Sequence, residues 1–320
     1  MPYQYANGTS KKEIKELNNK IVLSLDIDGL LSFLLLKKIN QDVEIYGEYQ
    51  NLSTLRLVDD ATDLFFLDHD VSTYPSMGHH IELKDLTDDS KFYNLNLDYK
   101  PFVESQNFRI KCPFSTVILE MIYYKEVKDY VKHLVETDNI KTLTWLLYAD
   151  NFTSIYQNYH ENAVSWLKYY DLGFLSDYIE KNHERLYNFA AVIADNLKDI
   201  YGFKEKNRRN INNGFQYFVQ EVPEESREKL TKYLCSILDI KEHIKFPKFN
   251  YVKNMEIGVF DISDKNVYEE LKHQKDNIFS HALIYGNEVS VTFKNGVPPS
   301  LFYKKIKREK HLWEVLFIFL

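Results

Sequence analysis

Cysteine is almost missing from this chain: Cys112 and Cys235 are the only two in 320 residues. Two cysteines cannot build a disulfide framework or a cysteine-based zinc site, and they fit a reduced, cytoplasmic setting. Glycine (10) and proline (8) are scarce as well, which excludes long flexible linkers. Positive charge is not in excess. Forty Lys and Arg stand against 47 Asp and Glu, a net charge of −7 that argues against a wide electropositive groove for long nucleic acid. A local basic pocket, or a metal ion that supplies the positive charge, remains open. No apolar run approaches a membrane span, and the N-terminal MPYQYANGTSKKEIKELNNK has no apolar signal region. The terminal LWEVLFIFL is apolar but short and reads as a closing buried strand.

What is present is an ordinary globular composition, 44% hydrophobic and 27% charged, rich in tyrosine (24) and phenylalanine (21). The length suits two domains, or one α/β domain with an appendage. The stretch IVLSLDIDGLLS (21–32) stands out. If 21–28 is a strand, Asp26 and Asp28 project from one face, Gly29 permits a sharp turn, and LLSFLLLKK follows as a buried helix. Two acids between a strand's carboxyl end and a helix lie where open α/β sheets bind ligands. The competing reading makes Asp28 a helix cap and leaves Asp26 solvated.

A short polar helix over 10–20 precedes this stretch. DVEIYGEYQ (42–50) reads as a second strand, and LFFL (64–67) as a third that exits into Asp68-His69-Asp70. A loop with Pro75 and Gly78 then ends in His79-His80. Helices are expected over 111–127, 142–150, 159–170, 175–199 and 223–240, with a polar loop or surface excursion at 204–214. From about 241 the texture becomes β-rich, with turns at Gly286-Asn287 and Asn295-Gly296. The expected fold is α/β: a mainly parallel sheet flanked by helices, a helical middle region, and a smaller β-rich carboxy-terminal domain. Residues 1–240 form the metal-binding α/β domain with its helical extension, and residues 241–320 a small substrate domain facing it across a cleft.

Asp26, Asp28, Asp68, Asp70, His79, His80 and Asp150 all sit at the ends of apolar runs. Carboxylate oxygens suit Mn²⁺ or Mg²⁺, and Mn²⁺ also accepts imidazole. Each residue alone has an ordinary explanation, as a turn, a cap or a loop histidine. Four separate signals of an apolar run followed by a ligand favour a metal site.

The order of these motifs resembles the DHH phosphoesterase superfamily, which includes RecJ-type exonucleases, small-oligonucleotide and cyclic-dinucleotide phosphodiesterases, and family II inorganic pyrophosphatases. DIDGLLS (26–32) resembles its first motif and FFLDHDVS (65–72) its second, with Asp68 or Asp70 as the bridging ligand. GHH (78–80) stands where Asp-His-His is expected, unless LDHD (67–70) is itself the equivalent, and YAD (148–150) resembles the fourth motif. Val22 and Ser24 stand where the family commonly has a further ligand, Gly78 replaces the Asp of Asp-His-His, and the GGGH signature is absent. The resemblance covers about residues 20–150. It implies a metal-dependent phosphodiesterase acting on short oligonucleotides or nucleotides. Asp26, Asp28, Asp68, Asp70, His79 and Asp150 would hold one or two Mn²⁺ or Mg²⁺ ions; Asp28 and His80 would act in catalysis, His80 on the substrate phosphate. The alternative is a degenerate, non-catalytic relative that binds nucleotides or a protein partner.

Overall fold

The computed structural model describes residues 19–305 apart from 51, 88–91, 97–110, 151, 203–213, 216–221, 243, 286 and 303. The expected helix over 10–20, save its last two residues, the excursion at 204–214, save Gly214, and the strand LWEVLFIFL lie outside the described residues.

The fold is α/β, with a mainly parallel sheet. Strand β1 (Lys20–Leu23) leads into helix α1 (Ile27–Ile39), which returns to β2 (Glu44–Gln50). Two short strands follow, β3 (Thr54–Leu57) and β4 (Leu64–Leu67), then β5 (Ser76–Met77) and β6 (Phe92–Tyr93). The strand order is β6-β5-β4-β1-β2-β3, with β7 (Tyr251–Asn254) at the far edge. The ladder is parallel from β6 to β2, and β3 and β7 are antiparallel. Strand β3 did not show in the sequence, because TLRL has only two apolar residues, whereas the equally short β4, LFFL, is a continuous apolar run. Strand β7 lies within the stretch assigned from sequence to the smaller domain, yet it extends the large sheet.

Period-two alternation explains how the sheet is packed. Ile21 and Leu23 of β1, with Phe65 and Leu67 of β4, face the helical side. Val22, Leu64 and Phe66 face the other side, against Tyr46, Tyr49 and Phe279. Residues from Ile27 to Lys37 of α1 are buried all round. A helix that is apolar on every face is stable only inside the molecule. Accordingly α1 lies between the sheet and a helical layer, in contact with α2 (Thr116–Tyr123), α3 (Lys125–Glu136) and, later in the chain, α8 (Glu224–Ile237). Between these run α4 (Ile140–Leu147), α5 (Phe152–Asn158), α6 (His160–Tyr169) and α7 (Gly173–Asp199). No helix among the described residues is long and apolar enough to cross a membrane.

The remaining strands, β8 (Glu256–Asp261), β9 (Ile278–Tyr285) and β10 (Glu288–Phe293), make a small antiparallel sheet in the order β8-β10-β9. With α9 (Lys265–His273) and α10 (Pro299–Phe302) it has its own apolar cluster, which Ile81, Leu83 and Leu86 of the large unit enter. Strand β9 is joined directly to the loops beyond β4 and β5. Ser280 bridges Val71, the Ser72 amide donates to the Phe279 carbonyl (2.7 Å), and the Leu283 amide donates to the Ile81 carbonyl (3.0 Å).

Candidate metal centre

Strand β1 stops at Leu23, so Asp26 and Asp28 do not alternate along a strand as the sequence suggested. Asp26 is the N-cap of α1, accepting the Gly29 amide (2.9 Å) and the Ser24 hydroxyl (3.0 Å). Asp28 lies in the first turn of that helix and caps a different one. Its two oxygens accept the Thr116 (2.8 Å) and Val117 (3.1 Å) amides at the start of α2, which it docks against α1. Gly29 makes no turn; a Cβ there would run into the Ser24 backbone, so its role is close approach.

Beyond β4 the next three side chains diverge. Asp68 takes a left-handed backbone (φ 61°), a strained conformation of the kind that concentrates at functional sites, pinned by its amide to the Met77 carbonyl (2.8 Å). Its carboxylate accepts the Thr116 hydroxyl (2.6 Å). His69 turns to the opposite face, where its Nε2–H donates to the Tyr49 carbonyl (3.1 Å), and burial holds its pKa down to about 3. LDHD therefore sends its one histidine away from Asp68, and the histidine beside the acids comes from GHH. Asp70, expected as a metal ligand, accepts the His80 amide (3.1 Å), His80 Nδ1–H (2.9 Å) and Asn94 Nδ2 (2.7 Å). A Cβ on Gly78 would overlap that carboxylate, so glycine stands here because Asp70 fills the space.

His79 joins the cluster. Its Nδ1 lies 3.5 Å from Asp68 and 3.8 Å from Asp28, and its Nε2 lies 3.4 Å from Asp150, at the exit of α4. One ligand atom from each of Asp28, Asp68 and His79 falls within 4.8 Å of the others, the geometry of a three-residue metal group. The carboxyl ends of β1, β4 and β5, which are neighbours in the sheet, thus deliver Asp26, Asp28, Asp68 and His79 to one place, with Asp150 reaching it from the helical layer. His80 stacks on His79, ring centroids 4.8 Å apart, and is held by Asp70 outside the group.

The electrostatics follow from crowding acids in a dry place. Burial, then repulsion from Asp26, lifts Asp68 to about 7. Desolvation lifts Asp26 to about 6, and burial with Asp68 beside it lifts Asp28 well above the carboxylate range. Burial acts against charge on His79, yet hydrogen bonds to Asp150 and Asp68 outweigh it and raise its pKa well above the ordinary value. Asp70, hydrogen-bonded to His80, stays low despite burial.

Two residues escaped the sequence reading. Thr116 touches Asp28, Asp68 and His79 together. Glu120, one turn along α2, is fully buried with neither carboxyl oxygen paired among the described residues, and burial with Asp28 and Asp68 nearby raises its pKa well above normal. The signal for Glu120 was available: a lone acid inside the apolar run TVILEMIY, four residues after Thr116.

A metal ion fits this donor set. Asp28, Asp68 and Asp150 crowd one imidazole with Asp26 close by, burial suppresses the acidity of Asp26, Asp28 and Asp68, and oxygen with imidazole nitrogen is the ligand chemistry of Mn²⁺. No family model, no curated protein and no solved structure matches this chain.

Proposed function

We propose that this chain is a metal-dependent phosphodiesterase, a divergent relative of the DHH phosphoesterases, acting on short oligonucleotides or nucleotides in the reducing interior of the cell. The observation that carries the reading is the buried group Asp28–Asp68–His79, closed by Asp26 and Asp150, at the carboxyl ends of adjacent parallel strands. Asp28, Asp68, His79 and Asp150 would hold one or two Mn²⁺ or Mg²⁺ ions, with Asp26 supplying further negative charge. Such an ion lowers the pKa of a bound water and offsets charge on a phosphate oxygen. Asp70 does not serve as a ligand in this reading. It fixes His80 through Nδ1, leaving Nε2 on a half-buried ring to meet a substrate phosphate or its leaving oxygen.

Two observations favour the non-catalytic alternative. His79, which keeps its proton through hydrogen bonds to Asp150 and Asp68 despite burial, already offsets part of the acids' charge, and both Asp28 oxygens are occupied by helix amides. Mn²⁺ titration calorimetry, paired with hydrolysis of bis(p-nitrophenyl) phosphate and a short oligonucleotide, separates the two. Binding with Mn²⁺-stimulated hydrolysis supports the enzyme, whereas binding of nucleotide with no turnover leaves only the binding module.

A further inference from the structure

We propose that Thr116 is a positioning residue that makes His79 meet the metal through Nε2, beside Asp150, by keeping the proton on Nδ1. The inference rests on the metal-centre reading above and deepens it.

The argument is an inventory of hydrogens. A threonine hydroxyl has one proton to give. Thr116 Oγ1 donates to Asp68 Oδ1 at 2.6 Å, and with a cation holding Asp68 ionised that carboxylate can only accept, so the proton is spent there. The same oxygen lies 3.2 Å from His79 Nδ1 and has only lone pairs left to offer, so Nδ1 must be the donor. In a neutral ring Nε2 then carries the lone pair, and it faces Asp150 Oδ2 at 3.4 Å. In the metal-free protein the protonated ring donates Nε2–H toward Asp150 instead, and a cation that displaces this proton meets the Nε2 lone pair and the Asp150 carboxylate together.

The other ring nitrogen has the competing claim, since Nδ1 is the one near Asp28 and Asp68. The Thr116 hydroxyl lies against both atoms, 3.2 Å from Nδ1 and 2.6 Å from Asp68 Oδ1, and little lets it leave. Its amide is held by Asp28 (2.8 Å), the residue is fully buried, and β-branching stiffens its rotamer. The imidazole is equally constrained, stacked on His80 with its backbone carbonyl accepting from Asn96 Nδ2 (2.7 Å). A partner on the non-ligating nitrogen is how proteins select the ligating one.

The test uses full-length protein labelled with ¹⁵N in its histidine rings, with Zn²⁺ as a diamagnetic probe. Zn²⁺ should perturb the Nε2 resonance of His79 and leave a proton on Nδ1. Thr116→Ser should keep both that pattern and the wild-type Mn²⁺ affinity. Thr116→Val, which removes the hydroxyl at equal volume, should lose the Nδ1 proton signature and bind Mn²⁺ about 10- to 100-fold more weakly. Metal on Nδ1 in the wild type overturns the inference even if the valine variant does not fold, as does a folded Thr116→Val with unchanged pattern and affinity. In both cases the metal-centre reading survives. Failure of the wild type to bind either Mn²⁺ or Zn²⁺ at His79 brings down the metal reading and this inference together.

Discussion

Asp28 carries two duties that a single substitution separates only in part. Asp28→Asn leaves one oxygen and sets an amide nitrogen against a helix N–H, so both metal affinity and the docking of α2 suffer. The expected result is loss of Mn²⁺-stimulated hydrolysis together with a stability loss of about 1–2 kcal/mol in urea unfolding. Full activity at unchanged stability would show that Asp28 matters to neither. The same cluster sets a pH dependence with a definite sign. Asp68, at about 7 when folded against an ordinary 3.8, contributes stability that is complete below 3.8 and is lost as pH rises through 7. His79, raised above 6.5, loses its contribution in the same direction, as do Asp28, Glu82 and Glu120. His69 and His281 act the opposite way, but only below pH 6.5. From pH 6.5 to 8.5, therefore, the metal-free protein should melt at progressively lower temperature. Mn²⁺ should lessen the fall, with an affinity that strengthens by about tenfold per pH unit for each proton that His79, Asp28 and Asp68 give up to it. A metal-free melting temperature that rises over this range would contradict the burial of these acids.

At the scale of elements, the segment 68–78 is the working part. Parallel neighbours ordinarily need a crossover of about a dozen residues, yet β5 is so short that an irregular loop suffices to carry the chain from β4. That loop sends Asp68, His69 and Asp70 in three directions, and Gly78 admits the Asp70 carboxylate against the backbone. Gly78→Ala should cost about 1–3 kcal/mol through overpacking and, by displacing Asp70, should uncouple His80 and suppress hydrolysis beyond the stability effect. Melting curves and rates at matched metal concentration distinguish the two losses. If the rate is untouched, the Asp70–His80 contact has no part in the chemistry.

Across the whole molecule, the small sheet braces the segment that carries the site histidines. His281 of β9 and Glu82, three residues past His79, are both completely buried, with His281 Nε2 3.0 Å from a Glu82 oxygen and 3.0 Å from the Leu83 amide that donates to it. Burial pushes Glu82 well up and His281 down to about 4, so it favours the neutral form of each member of the pair. Replacing one member strands the other in an apolar interface. His281→Leu and Glu82→Leu should each cost about 1–3 kcal/mol, and the double variant should cost less than their sum by about 1 kcal/mol. Additive losses in urea unfolding would mean the two groups do not interact.

The local order of the chain determined the apolar strands β1 and β4, the buried helix α1, the helices of the middle region and the acids at strand ends, because period and turn chemistry are written in neighbouring residues. It also ordered Asp26, Asp28, Asp68, His79 and Asp150 along the chain as candidates. What the tertiary structure alone decided was which way each side chain faces. Asp28 reaches across to cap α2, Asp68 turns in while Asp70 turns to His80, and Thr116 arrives from 88 residues away to sit between them. These choices depend on hydrogen-bond partners and space contributed by distant segments, such as the volume Gly78 leaves for Asp70, and no spacing within a motif encodes them.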